Sequence, residues 1–330
     1  MAFLTTLNNI ILICLVAFLP CIRAGIDDIP LNHFPILMTH DAAMGYLPNT
    51  SNLVLRCTKN QVGTLYDQLA CGARAFDLRP ACEGDGGVYV HHGLVVVRAP
   101  LKSVLQDAMR WAQENPDEVV FVRLGWYGPD TPECKAKVTP ILAELNLMKS
   151  IGSPEVSCSA LDGMTVGKAK EASKVSSGGH VFVYELECGE DHGDKKCYSQ
   201  DAEGKWSVDC FTEMNATEPS AKVEDFLNSI EEISHMTPNG SKFLTNEAHW
   251  QYNLDQFSGV GLASSSLIMD EYFSRLNYFL ALRVEKFENI NMLQVENVCN
   301  NGKLLNDKLN ERAIALGEHY GRSGQSMTIA

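Results

Sequence analysis

Strand-like and helix-like segments alternate along most of the 330-residue chain, and this alternation constrains the fold more than any other feature. Seven short apolar stretches rich in β-branched and aromatic residues predict strands: Pro35–Thr39, Ala73–Leu78, Val88–His91, Val119–Leu124, His180–Leu186, Phe243–Asn246 and Ile290–Val295. Such alternation favours a mostly parallel sheet with helical crossovers. Because an α/β barrel uses about 250 residues as one unit, we expect an α/β fold, a single distorted (β/α) TIM-type barrel.

Helical periodicity fills several of the intervals between these strands. Leu101–Glu114 places its apolar residues on one face and stops before Asn115-Pro116, and Lys222–Met236, Leu267–Phe287 and Leu304–Ala315 predict helices by the same test. The segment Gly189–Thr217 is polar and irregular, so we expect a long excursion above the barrel mouth and not a separate domain.

An unbroken apolar run of ten residues, Ile10–Leu19, lies close to the N-terminus. A membrane-spanning helix needs about 20 apolar residues, so this run fits the apolar region of a signal peptide, with Ala24 as the small residue at the cleavage site. The sequence therefore predicts a signal peptide over residues 1–24, a barrel over residues 25–330, and a secreted, extracellular protein.

Nine cysteines remain after such a cleavage: Cys57, Cys71, Cys82, Cys134, Cys158, Cys188, Cys197, Cys210 and Cys299. In an oxidising compartment most of them are expected to form disulfide bonds, with one left over. Cys188 and Cys197 flank a polar stretch, and we expect them to be bonded to each other. N-glycosylation sequons at Asn49, Asn215 and Asn239 fit the same secreted, glycosylated protein.

The net charge is −14, with 27 basic and 41 acidic side chains. Phosphate-backbone binding needs a basic footprint, so nucleic acid is excluded as a partner. Docking on anionic lipid through a broad basic surface is disfavoured for the same reason. We expect a monomer.

Ionisable residues follow the early predicted strands: His40 and Asp41 after the first, Asp77 and Arg79 on the second, and His92 after the third. Because the C-terminal ends of barrel strands face one mouth, we expect these side chains to share a pocket. Taken singly, each has an ordinary structural role open to it: Asp41 could cap a turn, and Arg79 could form a surface ion pair. Three such strand ends in succession favour a functional site.

The chemistry of this residue set is that of phosphodiester cleavage. Two histidines can divide the work of general base and general acid, and a guanidinium offers a planar fork to two phosphate oxygens. A carboxylate beside an imidazole fixes its tautomer and stabilises its charged form. The set suits attack of a neighbouring hydroxyl on a phosphodiester, with no metal or other cofactor. His91 and His92 point to opposite sides of a strand, so only one faces the mouth.

At these residues the sequence resembles the catalytic X-domain of phosphatidylinositol-specific phospholipases C, in the bacterial-type, calcium-independent branch of these PLC-like phosphodiesterases. The matching stretches are Thr39-His40-Asp41, Gly72 to Arg79, and His91-His92-Gly93, and the X-domain-like core covers about residues 35–190. The resemblance implies a distorted barrel, His40 as general base, His92 as general acid, and Asp41 and Arg79 as the carboxylate and phosphate-binding arginine beside them. Glu296 stands where the family has an aspartate that supports the base.

The resemblance also bears on metal and substrate. Calcium-dependent relatives place acidic ligands two apart on the second strand, whereas this chain has Asp77 and then Arg79, so no metal is implied. The basic residues that face the inositol ring in the family are missing from Leu124-Gly125-Trp126 and from Tyr184 to Glu187. Asp77, Asp209 and Trp126 are candidate substrate-binding residues.

Three functions remain open from the sequence. The first is a secreted phospholipase C-type phosphodiesterase acting on phosphatidylinositol, its glycosylated anchors or a related lipid at a membrane surface. The second is a metal-dependent glycerophosphodiesterase or sphingomyelinase D-like barrel, which needs several carboxylates on neighbouring strand ends. The third is a non-catalytic secreted binding protein on the same fold.

Overall fold

The computed structural model describes residues 25–48, 55, 58–251 and 266–326. The predicted signal peptide, the sequon at Asn49 and Cys57 lie outside the described residues, so these remain predictions. In the described part of the chain, no helix is long and apolar enough to cross a membrane.

Seven parallel strands form the central sheet, which curls into the predicted distorted α/β barrel with helices around it. Their bounds, numbered in chain order, are β1 Ile36–Thr39, β2 Ala75–Leu78, β6 Val119–Leu124, β7 His180–Glu185, β8 Gly189–Lys195, β11 Phe243–Trp250 and β12 Met292–Val295. They lie side by side in the order β7-β6-β2-β1-β12-β11-β8. Six of the seven predicted strands are confirmed as members of this sheet.

The two outermost strands of the sheet are consecutive in the chain, since only the three-residue turn Leu186–Cys188 separates β7 from β8. One continuous segment thus pairs with β6 at one edge and with β11 at the other. The prediction that Gly189 begins an irregular excursion was wrong. The sequence of β8 is polar because the strand lies at the mouth, where Asp191 contacts Arg123 of β6.

The predicted strand Val88–His91 was assigned to the wrong sheet. Strands β3 (Pro80–Cys82), β4 (Val88–His92) and β5 (Val95–Val97) form a separate antiparallel sheet between β2 and β6 in the chain. A second small hairpin, β9 (Tyr198–Gln200) with β10 (Trp206–Val208), follows β8. In both small sheets short turns return the chain antiparallel, whereas two parallel strands that pair with each other need a long crossover.

Eight α-helices have both ends within the described residues: α1 Leu65–Ala70, α2 Leu101–Glu114, α3 Pro132–Glu144, α4 Val166–Ala172, α5 Ala221–Ile233, α6 Leu267–Ser274, α7 Leu276–Arg283 and α8 Gly302–Ser326. The prediction for α2 is confirmed at both ends. The single helix expected over Leu267–Phe287 is broken at Arg275, whose left-handed backbone (φ 55°) ends α6 and starts α7. The last helix is longer than the apolar pattern indicated.

Alternation along the strands divides the core into two layers. Phe121, Phe182 and Phe243 point into the barrel, with ring centroids 5.5–6.4 Å apart, and fill its lower part. The residues between them, such as Val120, Val122 and Val183, pack outward against the helices. Above the aromatic layer the inward positions become polar, which places the ionisable strand ends over an apolar floor.

Four disulfide bonds join Cys71 to Cys299, Cys82 to Cys134, Cys158 to Cys188, and Cys197 to Cys210. The predicted bond between Cys188 and Cys197 was wrong. Strand β8 runs between these two residues, and seven extended residues at about 3.3 Å each hold them far beyond the distance of about 7 Å that a disulfide can span between Cα atoms. Cys188 and Cys197 are close in the sequence but far apart in the structure.

We predict that the bond between Cys71 and Cys299 stabilises the fold more than the bond between Cys158 and Cys188. The first closes a loop of 228 residues and the second a loop of 30. The restriction of the unfolded chain is worth about 5 kcal/mol for the longer loop and about 4 kcal/mol for the shorter one. Urea unfolding of the two double Cys→Ala variants measures both values. An equal or reversed order would contradict this explanation of their stabilising effect.

Candidate active site

The candidate site lies at the C-terminal ends of β1, β2 and β12. Parallel pairing places Thr39 beside Val295 and beside Phe76, so the next residues on β1 and β12, His40 and Glu296, become neighbours. Both side chains are almost fully buried. The structure therefore brings these strand ends together, as the sequence predicted.

The carboxylate of Asp41 contacts three other members of the cluster. Its Oδ1 lies 2.7 Å from Nε of Arg79, and its Oδ2 lies 3.3 Å from Nε2 of His40 and 3.2 Å from Nε2 of His92. The backbone of Asp41 is left-handed (φ 44°), a conformation that aspartate tolerates better than most residues. This turn directly after β1 lets adjacent residues both face the mouth.

His40 is held by contacts at both ring nitrogens. Its Nδ1 lies 3.2 Å from Oε1 of Glu296, and its Nε2 lies 3.2 Å from Nη2 of Arg79. Burial, and next the charge of Arg79, lower the pKa of His40 well below its ordinary value. His40 is therefore neutral at physiological pH, which is the state that a general base needs.

Glu296 is buried even more completely than His40. Burial, and next the neighbouring carboxyl of Glu271, raise the pKa of Glu296 well above its ordinary value. This environment disfavours the charged carboxylate. The Oε1 atom of Glu296 can accept a hydrogen bond from Nδ1 of His40, which leaves Nε2 of His40 free to take up a proton.

Two loop residues that the sequence analysis missed hold this arrangement together. The side-chain amide of Asn60 lies 3.2 Å from Nδ1 of His40, 3.4 Å from Oδ2 of Asp41 and 3.4 Å from Oε1 of Glu296. Gln61 donates hydrogen bonds to the carbonyl oxygens of His40 (3.2 Å) and Val295 (2.9 Å), which ties β1 to β12. Both residues precede α1, where no periodic pattern marks them.

A chain of alternating charges continues from Arg79 into the barrel. Asp77 lies 3.0 Å from Nη2 of Arg79 and 3.4 Å from Nη2 of Arg123, and Arg123 lies 2.6 Å from Asp191. Burial opposes ionisation of Asp77, but the two guanidinium groups outweigh it and keep the pKa of Asp77 below its usual range. Arg123 was missed, although its position two residues after the inward-facing Phe121 was the available signal.

His92 reaches the site from the antiparallel sheet and not from a barrel strand. It is the last residue of β4, its Nε2 contacts Asp41, and about a quarter of its side chain (27%) stays exposed. His91 faces the other way, as the alternation of a strand requires, and its ring nitrogens lie 3.0 Å from the carbonyl oxygen of Gly93 and 2.7 Å from that of Trp126. We therefore assign a structural role to His91.

Two predicted residues remain, and only one of them, Trp126, lies at the mouth. Trp126 lies at the rim, 56% exposed, with its ring 5.9 Å from Cζ of Arg79. Asp209 is not brought to the cluster. Its carboxylate instead lies 3.6 Å from Nζ of Lys222 at the start of α5.

His249 on β11 is a second histidine that the sequence analysis did not select. Its ring lies flat against the ring of His40, with centroids 3.9 Å apart and planes only 10° from parallel. It is fully buried, and burial, followed by the proximity of His40, lowers the pKa of His249 well below its ordinary value. The predicted strand ended at Asn246, three residues too early to include it.

At the candidate site, two groups of side chains come close enough to hold a metal ion, His40 with His249 and Glu296, and His40 with Asp41 and Asp77. In the first group the two imidazole rings are stacked, so their in-plane lone pairs run side by side and do not converge on one ion. In the second group Arg79 already contacts both carboxylates. Neither donor set matches the converging ligands that zinc or calcium requires.

Solved structures provide the comparison with known proteins, since no protein family model matches the chain. The phosphatidylinositol-specific phospholipase C of Listeria monocytogenes superposes with a TM-score of 0.54 at 13% identity, over 86% of this chain and 97% of that one. A variant of the Staphylococcus aureus phosphatidylinositol-specific phospholipase C gives a TM-score of 0.54 at 15% identity, over 87% and 97% of the two chains. The chain therefore has the fold of the bacterial phosphatidylinositol-specific phospholipases C, as the resemblance of its motifs predicted.

Proposed function

We propose that this protein is a phosphodiesterase of the phospholipase C type, cleaving a phosphatidylinositol-like or glycosylphosphatidylinositol-like lipid. The observation that carries the proposal is the carboxylate of Asp41, which contacts His40, His92 and Arg79 at once. A neutral buried histidine, a more exposed histidine and a fixed guanidinium around one point match the needs of phosphoryl transfer.

The reaction begins with proton transfer to His40. Its Nε2 takes the proton of a hydroxyl next to the phosphate, and the hydroxyl oxygen attacks phosphorus. The bond from phosphorus to the lipid oxygen breaks, and His92 gives a proton to that oxygen. The products are a cyclic phosphodiester and the free lipid alcohol. Arg79 faces the negative charge that grows on the phosphate oxygens, Asp41 balances the charge of His40, and Glu296 holds its tautomer through Nδ1.

The charge pattern inside the barrel supports an uncharged polyhydroxyl head group. Arg123 lies between Asp77 and Asp191, so its charge is already balanced and unavailable to an additional phosphate. Carboxylates and a guanidinium in such pairs form hydrogen bonds with hydroxyl groups readily. We therefore propose an inositol ring without further phosphates, and expect phosphorylated inositides to be poor substrates.

The rim of the mouth supports a lipid surface as the partner. Leu94 is fully exposed at the tip of the β4–β5 hairpin, two residues after His92, and Trp126 is exposed beside Arg79. Apolar side chains in these positions can enter the lipid interface while the acidic remainder of the protein stays in water. With a net charge of −14, the protein is expected to bind through these apolar residues and not through attraction to anionic lipid.

The four disulfide bonds support secretion, since such bonds persist in oxidising compartments. The sequon residues Asn215 and Asn239 are both exposed, as glycosylation requires. We propose an extracellular, glycosylated monomer.

We predict that His40→Ala and His92→Ala each lower kcat by roughly 10²–10⁴-fold, because each removes one proton transfer. Activity is measured by phosphorus NMR on phosphatidylinositol, where a cyclic inositol phosphate is the expected product. His235→Ala is the matched control, since His235 is exposed and pairs with Glu288 at the surface. Near-normal activity of either site variant, with an unchanged circular dichroism spectrum, would refute the assignment of base and acid.

We further predict that activity survives EDTA and gains little from added calcium, since Arg79 holds the position beside Asp41 and Asp77 that a cation would need. Arg79→Lys is expected to lose most activity, because an ammonium cannot reproduce the fork of the guanidinium. Arg98→Lys, at an exposed ion pair, is the control. Loss of turnover on chelation and its return with calcium would favour the metal-dependent phosphodiesterase instead.

A double variant, Leu94→Ser with Trp126→Ser, tests the lipid surface. Burying one large apolar side chain is worth about 1.5–3 kcal/mol, so vesicle affinity is expected to fall at least roughly tenfold. Turnover of a monomeric short-chain substrate should change much less. Leu282→Ser on α7 removes an equally apolar exposed side chain away from the mouth and is the control. Equal losses on vesicles and on the monomeric substrate would contradict docking through this rim.

A further inference from the structure

His249 has an environment that the reaction described above leaves unexplained. It is fully buried, yet neither ring nitrogen makes a well-formed hydrogen bond among the described residues, and only the backbone of Trp250 lies close to one of them. A buried polar atom without a partner costs about 1–3 kcal/mol, so a sequence without a use for this imidazole gains stability from an apolar side chain there. The contact that His249 does make is with the flat face of His40.

Strand pairing fixes this stacked arrangement. Glu247 of β11 lies beside Gln294 of β12, and the register of β11 shifts between Glu247 and Trp250. Trp250 packs outward and donates its indole N–H to Ser274 of α6 at 2.9 Å. The backbone of His249 is thereby anchored by the residue that follows it, which holds the point of attachment of its ring opposite His40.

We propose that His249 is a positioning residue for His40: its ring face fixes the plane of the His40 imidazole and stabilises that imidazole when it becomes charged. The proposal rests on the assignment of His40 as the general base. A neutral aromatic ring presents its electron-rich face to a cation stacked on it, and such contacts are worth about 0.5–2 kcal/mol where water is excluded. Burial keeps His249 neutral, so its face is available for this contact.

The other groups around His40 show why such support matters. Arg79, Arg123 and His92 disfavour a positive charge on His40, while Asp77 favours it. Asp41 contacts Nε2, Glu296 contacts Nδ1, and Asn60 lies against the same nitrogen. The contacts at the ring nitrogens lie at the edge of the imidazole, whereas His249 covers one of its faces. Edge contacts set the tautomer, whereas a face contact limits tilting of the ring.

Two variants separate the face contact from simple packing. His249→Phe keeps an aromatic face and removes the ring nitrogens, and His249→Leu keeps a similar volume without the face. His180→Leu makes the same change at the start of β7, at the far end of that strand from the mouth, and is the control. The readouts are kcat and KM on the phosphorus NMR assay, the acid limb of the rate profile, and the titration of the His40 ring followed by nitrogen NMR.

The expected result for His249→Leu is a fall of about 3- to 30-fold in kcat with little change in KM, and a His40 titration midpoint lower by about 0.5–1.5 pH units. The sign follows from the mechanism: losing support for the charged ring means that a more acidic solution is needed to protonate it. Burial already lowers the pKa of His40 in the wild-type protein, so the variant is expected to shift it further in the same direction. His249→Phe is expected to stay close to wild type in both readouts.

The proposal is overturned if His249→Leu matches wild type in kcat and in the His40 midpoint, or if His249→Phe loses as much as His249→Leu. Because the nitrogen NMR titration needs no substrate, it reports on the stacked pair even if the protein cleaves no phosphodiester. If His249→Leu lowers the His40 midpoint as expected but the wild-type protein cleaves no phosphodiester, the proposed function is refuted. The effect of His249 on His40 is then still established. If His249→Leu fails to fold, His249→Gln, which also lacks an aromatic face, replaces it under the same criteria.

Discussion

The contact between the Asp41 carboxylate and the Arg79 guanidinium holds the site together. Without that carboxylate, Arg79 would lie beside His40 with only Asp77 to balance it, and the uptake of a proton by His40 would bring two cations together. Asp41 also contacts His92, so the same carboxylate sets the separation of the proposed base and the proposed acid. The left-handed turn at Asp41 is the local condition for all of this, since it directs the side chain back over the end of β1.

Much of the site could be predicted because its residues lie at the ends of strands or directly after them. His40, Asp41, Asp77 and Arg79 follow or belong to two adjacent parallel strands, and parallel strands deliver their C-terminal ends to one place. Glu296 follows the strand on the other side of β1 and could be reached through the same argument combined with the family resemblance. His92 was selected correctly as a neighbour of this cluster, but its strand belongs to the antiparallel sheet.

The parts of the fold and of the site that were not predicted depend on tertiary contacts, which leave no local pattern in the sequence. Gly189–Lys195 has no apolar alternation, and it is a strand because β11 provides a parallel partner on one side. Asn60 lies in a loop, and its amide matters only because three distant groups converge on it. His249 lies beyond a register shift that apolar periodicity cannot show. Arg123 is an exception, because it lies two residues after the inward-facing Phe121. The alternation of side chains along a strand predicts that Arg123 also points inward.

The bond between Cys82 and Cys134 connects the small antiparallel sheet to helix α3. Cys82 ends β3, the strand paired with β4, and β4 ends at His92. His92, the proposed proton donor, therefore belongs to an element whose attachment is covalent and reversible, while His40, the proposed base, follows a strand of the barrel. Reduction of this one bond is expected to loosen His92 and leave His40 in place. On the proposed function, full turnover would then depend on oxidative folding of the chain.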